Sequence, residues 1–143
     1  MKHAARVGLD YYEAQGLTPI QAAAIIGGFT VESNLNPYAV GDKNLKDHAY
    51  GVGQWRAARW ANLQNLAKLK GKSPYDLLMQ LEFALWELAH HEVTAGHQLF
   101  AAKTIEDAVD AMIGYERPSG WTFKNPRRAH TWKQRLDAAK ALL

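Results

Sequence analysis

Signals for the start of a helix recur along the chain, and they constrain its fold more than any other feature. In each, a small polar residue that can cap a helix is followed by proline or, three residues later, by an acidic residue. They are Thr18-Pro19, Ser73-Pro74 with Asp76, Thr104 with Asp107, and Asn125-Pro126. They predict helices from Pro19 to about Ser33 and through YDLLMQLEFALWELAHH, AVDAMIGYE and PRRAHTWKQRLDAAKALL.

Two more segments have helical periodicity, AARVGLDYYEAQ near the amino terminus and roughly 56–70. No stretch alternates apolar and polar residues for long, so we predict an all-α protein of about six helices. The longest span without helical periodicity is 34–53, where a long loop or a short hairpin is expected. No linker interrupts the chain, and 143 residues suit one domain, 1–143.

The composition excludes several classes of site. The chain has no cysteine, which removes disulfide frameworks, zinc-thiolate sites and cysteine nucleophiles. A net charge of +3 is a modest bias toward anionic partners such as cell wall or nucleic acid. No apolar run is long enough to span a bilayer, and MKHAARVGLDYYEAQG lacks the apolar stretch of a secretory signal. We therefore expect another route to deliver the protein to any substrate outside the cytoplasm.

Glu32 is the only charged residue between Thr18 and Val40. It ends the apolar segment AAAIIGGFTV, where Phe29 and Val31 should partly desolvate it. Desolvation raises the pKa of a carboxyl, and the cleavage of a glycosidic bond needs a carboxylic acid that is still protonated near neutrality. The alternative is a solvated residue at a helix end, or one paired with a lysine.

The string AYGVGQW, residues 49–55, is the second informative segment. Gly51 and Gly53 permit a tight turn and a close approach of a ligand to the backbone. Gln54 adds an amide, and Tyr50 and Trp55 add flat faces of the kind that sugar rings stack on. The alternative is a turn with two core aromatics.

Together ESNLNP, the polar loop after it, AYGVGQW and YERP at 115–118 resemble the phage tail lysozyme family. That family belongs to the lysozyme-like superfamily, with goose-type lysozymes and soluble lytic transglycosylases. The resemblance covers roughly 18–117 and implies a lysozyme-like helical domain that cleaves peptidoglycan. It implies that Glu32 is the general acid, which protonates the oxygen between N-acetylmuramic acid and N-acetylglucosamine.

The resemblance also implies residues that bind the substrate. The turn is expected to line the glycan groove through Tyr50, Gly51, Gly53 and Gln54. Tyr115 falls where related enzymes place a tyrosine near the glutamate, and its neighbour Glu116 either forms an ion pair with Arg117 or takes a direct chemical role. The loop residue Trp121 is a candidate groove wall, although it could equally pack against the last helix.

A second carboxylate could activate water or stabilise an oxocarbenium-like transition state. Asp42 and Asp47 are the candidates, and Asp42 is preferred because it lies nearer Glu32 in the family-like stretch. Lys43 and Lys46 leave a charged, solvent-exposed loop as the alternative. The sequence does not give the separation of the carboxyl groups, so it leaves retaining, inverting and single-acid chemistry open.

Two other patterns do not predict a binding site. The cluster of His90, His91, Glu92 and His97 does not have metal-ligand spacing, so no metal and no cofactor are expected. The basic residues of the last helix do not form one stripe, so nucleic acid is not expected as a partner. This set consists of Arg127, Arg128, Lys133 and Arg135.

The resulting hypothesis is a phage-type lysozyme that hydrolyses bacterial peptidoglycan. It is expected as a monomer, either carried in the virion with other tail proteins or made in the host cytoplasm as an endolysin, and it acts on the periplasmic wall. A lytic transglycosylase that leaves 1,6-anhydro ends is one alternative. A virion structural module that binds glycan without cutting it is the other.

Overall fold

The computed structural model describes residues 2–143, and helices dominate it. In chain order the elements are α1 (His3–Ala14), α2 (Pro19–Ser33), β1 (Val40–Gly41), β2 (Ala49–Tyr50), α3 (Ala58–Leu69), α4 (Leu77–His90), α5 (Val93–Ala101), α6 (Ile105–Glu116), a short 3-10 helix (Pro126–Arg128) and α7 (Trp132–Lys140). The predicted all-α class and the hairpin within 34–53 are both confirmed. Between residues 2 and 143, no helix is both long and apolar enough to cross a membrane.

Two of the predicted helix starts form as the sequence indicates. Thr18 and Gln21 make a reciprocal capping box, in which the Thr18 amide donates to Gln21 Oε1 at 3.0 Å and the Gln21 amide to Thr18 Oγ1 at 3.2 Å. Thr104 Oγ1 accepts from the Asp107 amide at 3.1 Å and caps α6. These local contacts satisfy amides that have no partner within the helix.

The other two starts are wrong in detail. Asp76 caps α4 by accepting from the Met79 amide at 2.9 Å, while Ser73 Oγ accepts from the Tyr75 amide in the turn before it. Asn125-Pro126 opens only the short 3-10 helix, and α7 begins at Trp132. A capping side chain can serve a turn as well as a helix, so the pattern locates the start only approximately.

The structure has seven α-helices within the described residues, and the one that the sequence did not predict is α5. Glu92 precedes it without capping it through its side chain, so the sequence gives no start signal. Its inner face packs on α4, and a Cβ added to Gly96 would lie 1.8 Å from the Leu88 carbonyl oxygen. Tertiary packing therefore determines this helix, as it does for many short helices.

The helix α2 lies at the centre of the core, and every residue from Gln21 to Phe29 is buried. Its neighbours are α1, α6 and α7. At Gly27 the backbones of α2 and α7 approach so closely that an added Cβ would lie 2.6 Å from the Ala139 amide nitrogen. This contact holds the carboxyl-terminal end of α2 against α7, and it thereby positions the residues at that end.

The contact predicts that Gly27→Ala is destabilising. The new methyl group would force two packed helices apart, which typically costs about 1–3 kcal/mol of unfolding free energy. Urea denaturation followed by circular dichroism measures the loss. Gly114→Ala is the control, because a Cβ added there, in the last turn of α6, has no atom within 4 Å apart from the helix's own backbone, and it should be neutral or slightly stabilising. Equal stability of the two variants would contradict the close approach.

Candidate active site

A polar groove with a volume of about 960 Å³ lies where several elements end. Its walls include Glu32 at the end of α2, Glu116 at the end of α6, Arg59 from α3 and Arg135 from α7. Asp42 and Gln54 from the hairpin region also line it. The groove thus brings together residues that lie more than a hundred positions apart in the chain.

Glu32 lies in the last turn of α2, with 20% of its side chain exposed. The chain leaves the helix through Asn34 and Leu35, whose φ angles of 55° and 57° are left-handed. An anion at this end of a helix faces the negative end of the helix dipole. The cost is offset by Arg135, which is 5% exposed and donates from Nη2 to Glu32 Oε1. The partner of Glu32 is therefore an arginine of α7.

Asp42 lines the same groove but is bound to another cation. Its side chain pairs with Arg56 and is 45% exposed. Its backbone has a φ of 53°, and its carbonyl accepts from the Leu45 amide at 2.9 Å. Asp47, the other candidate, lies in the exposed part of the loop and is not among the residues that line the groove.

The glycines of the turn make room for buried side chains. Gly51 has a φ of 77°, and an added Cβ would lie 2.8 Å from Gln80 Oε1. Gln80 is buried and holds the turn by accepting from the Val52 amide at 2.9 Å. At Gly53 an added Cβ would lie 2.6 Å from the Trp55 ring. The close packing of Gln80 and Trp55 therefore explains why both positions are glycine, without any ligand.

Only one of the four predicted substrate-binding residues in the turn lines the groove. Gln54 does so, with its Nε2 donating to the Gly51 carbonyl at 3.0 Å. Tyr50 stacks on Trp60 with ring centroids 4.8 Å apart, and neither it nor the two glycines is among the lining residues. A role of these three in binding glycan stays a prediction.

Beneath the groove lies a buried network centred on Glu87, whose side chain is 1% exposed. Arg59 donates to it twice, at 2.9 Å from both Nε and Nη2. The Tyr115 hydroxyl donates at 2.5 Å and Trp55 Nε1 at 3.0 Å. Sequence reasoning missed Glu87, although an acid between Trp86 and Leu88 in the mostly apolar run LEFALWEL was a usable signal.

Tyr115 belongs to this network, and it is not among the residues that line the groove. Its ring is fully buried, with the Arg59 guanidinium 4.7 Å from the ring centroid. Burial and then the negative charge of Glu87 raise its pKa well above the ordinary value for tyrosine. Tyr115 therefore keeps its proton and acts as a hydrogen-bond donor, and its supporting role near Glu32 stays a prediction.

Glu116 does not form an ion pair with its neighbour Arg117. Arg117 pairs with Glu92 at 2.5 Å, because its left-handed backbone, with a φ of 52°, turns it away from the helix. Glu116 Oε1 is buried and has no hydrogen-bond partner. Burial and then the charge of Glu32 raise the pKa of Glu116 well above its ordinary value, against the opposing effect of Arg135.

Trp121 lies outside the groove. Its ring packs edge to face on Phe123 at 4.6 Å, and both line a separate cavity of about 370 Å³ together with Asp110. Elsewhere, His90 Nδ1 lies 2.9 Å from the Trp86 carbonyl oxygen. No cluster of three or more potential metal ligands is found within residues 2–143.

A comparison with models of known protein families finds a match. The family model described as phage tail lysozyme matches residues 3–142, nearly the whole chain. None of the curated proteins compared with the chain is a significant match.

The Glu87 network predicts different costs for two neighbouring arginines. Arg59→Met leaves Glu87 buried without its cation, and such losses typically cost about 3–5 kcal/mol of unfolding free energy. The matched control is Arg56→Met, which breaks the half-exposed pair with Asp42 and should cost at most about 1 kcal/mol. Urea denaturation of both variants provides the measurement. An equal, small loss in the two would show that Arg59 does not hold the network.

Proposed function

Because the chain belongs to the phage tail lysozyme family, we propose that it is a muramidase that cleaves peptidoglycan. The bond is the β-1,4 linkage between N-acetylmuramic acid and N-acetylglucosamine. The observation that carries the proposal is the position of Glu32, half-buried at the end of a helix and lining a polar groove. The volume of about 960 Å³ lies at the upper end of the range of ligand sites and suits more than one sugar ring.

The groove offers the groups that a wall glycan needs. The Gln54 amide and the Thr131 hydroxyl can exchange hydrogen bonds with sugar hydroxyl and acetamido groups. Arg56 and Arg117 also line it, with side chains 43% and 44% exposed. Each is paired with an acid of this chain, Asp42 or Glu92, and its exposed part would attract the carboxylates on the stem peptides of peptidoglycan.

Glu32 is the proposed general acid. It donates a proton to the glycosidic oxygen as the bond to the muramic acid carbon breaks, so that the leaving sugar departs as a neutral alcohol. Asp42 is the proposed second carboxylate, which activates the attacking water or stabilises the positive charge on the sugar ring. The protein would act on the periplasmic wall, from a virion together with other tail proteins or at lysis as an endolysin.

A lytic transglycosylase is the second candidate, and the state of Asp42 favours it. That carboxylate is already paired with Arg56, so a groove with Glu32 as its one available acid could let the muramic acid 6-hydroxyl attack instead of water. Mass spectrometry of the released muropeptides distinguishes the two reactions. The muramidase produces reducing ends that have gained water, whereas the transglycosylase produces anhydro ends that are lighter by one water.

The proposal predicts that Glu32→Gln folds and loses activity. The amide can still accept from Arg135 but carries no transferable proton, so hydrolysis of purified murein should fall by at least about 100-fold. Glu13→Gln is the control, because Glu13 is an exposed residue of α1 remote in sequence from the site. Circular dichroism checks the fold of both variants.

Two results would contradict the proposal. Undiminished hydrolysis by Glu32→Gln would remove the role of Glu32. A wild-type protein that binds murein but leaves the turbidity of chloroform-treated Gram-negative cells unchanged would be a glycan-binding module of the virion.

A further inference from the structure

Three carboxyl groups line the groove, and two of them, Glu32 and Glu116, have only Arg135 as a groove-lining arginine that no other acid binds. Glu32 and Glu116 line it from the ends of α2 and α6, and Arg135 lines it from α7. Arg59 is bound to Glu87 by two hydrogen bonds, Arg56 is bound to Asp42, and Arg117 is bound to Glu92. Arg135 is therefore the cation that remains for both carboxyl groups.

Arg135 makes one contact with an acid and has an unused donor. Its Nη2 donates to Glu32, and its Nε donates to Thr131 Oγ1 at 2.9 Å. Its Nη1 is buried and has no hydrogen-bond partner. In this arrangement Glu32 has a cation, and Glu116 has none within hydrogen-bond distance.

A buried carboxylate without a partner is too costly to persist, and the group takes up a proton instead. One oxygen of the Glu116 carboxyl, Oε1, is in this situation, because it is buried and unpartnered. The charged groups around it are Glu32, Arg135, Arg59 and Glu87. Burial and the negative charge of Glu32 raise the pKa of Glu116, which agrees with a protonated carboxyl.

We propose that Glu116 and Glu32 hold one proton between them, and that Arg135 pairs with whichever of the two is ionised. In the free protein the proton lies on Glu116 and the charge on Glu32. When the proton moves, the O–H bond of Glu116 breaks and an O–H bond of Glu32 forms. The charge passes to Glu116, where the free Nη1 of Arg135 can compensate it. The net charge of the three groups does not change.

This exchange supplies the acid of the proposed reaction. Glu32 gives the proton to the glycosidic oxygen as the bond to the leaving sugar breaks. Glu116 does not touch the substrate. It holds the proton that Glu32 later donates, and it is therefore a positioning residue. The last step rests on the proposed function, whereas the shared proton is a property of the free protein.

The first experiment measures the proton without substrate. Side-chain carboxyl groups of ¹³C-labelled wild-type protein are titrated by NMR. One glutamate should remain protonated at neutral pH, and its signal should be absent from Glu116→Gln and present in Glu106→Gln. Glu106 is the matched control, since it lies on the same helix and pairs only at the surface with Lys140. Complete ionisation of all glutamates at neutral pH in the wild type would overturn the proposal.

The second experiment measures the consequence for catalysis. In Glu116→Gln no second carboxyl holds the proton, and Glu32 must take it from solvent beside the positive charge of Arg135. We therefore expect kcat on murein to fall at least about tenfold with little change in KM. The alkaline limb of the pH–rate profile should move to lower pH, which a purely structural role of Glu116 would not cause. Glu106→Gln should match the wild type. A wild-type rate and pH profile in Glu116→Gln would overturn the proposal.

The titration is independent of the proposed function, whereas the rate measurement rests on it. If neither the wild type nor Glu106→Gln cuts murein, the proposed function is wrong, and the titration still decides whether Glu116 holds a proton at neutral pH. The titration uses the wild-type protein, so it also decides the matter if Glu116→Gln does not fold.

Discussion

A carboxylate at the carboxyl-terminal end of a helix faces the negative end of the helix dipole, and Glu32 lies in this unfavourable position. It is kept there by Arg135, a buried residue of α7 that lies 103 positions away in the sequence. The pair forms only because α2 and α7 approach closely at Gly27. The geometry of the groove therefore depends on a backbone contact one and a half turns from the acid, which no side chain larger than hydrogen would permit.

A second layer keeps the floor of the groove fixed. The carboxylate of Glu87 accepts hydrogen bonds from Arg59, Trp55 and Tyr115, which belong to three separate segments of the chain. Each donor is satisfied and the acid is fully compensated, which is the condition under which a buried charge is tolerated. This network fixes the hairpin region, α3, α4 and α6 relative to one another. It therefore also fixes the side chains that these elements place in the groove.

The helical class, the hairpin and two helix caps could be predicted because each depends on residues that are neighbours in sequence. Glu32 could be singled out because one acid in an apolar segment is unusual. The pairing of acids with cations could not be predicted. Arg117 adjoins Glu116 in the chain but pairs with Glu92, while Arg135 reaches Glu32 from the last helix. These partners are set by helix packing, as is α5, which has no start signal of its own.

The same limit applies to the predicted substrate-binding residues. Gln54 and Asp42 line the groove with Glu32, whereas Trp121 lines another cavity beside Phe123. A motif shows which residue types lie in one segment, but the direction of each side chain depends on what packs behind it. For Gly51 and Gly53 those neighbours are Gln80 and Trp55.

The most direct test of the account is a crystal structure of the Glu32→Gln variant with a chitin-type oligosaccharide bound. We expect the sugar to lie in the groove, with a glycosidic oxygen within about 3 Å of the amide at position 32, the distance that proton transfer requires. An oligosaccharide bound beside Trp121 and Phe123, with the groove free of sugar, would contradict it.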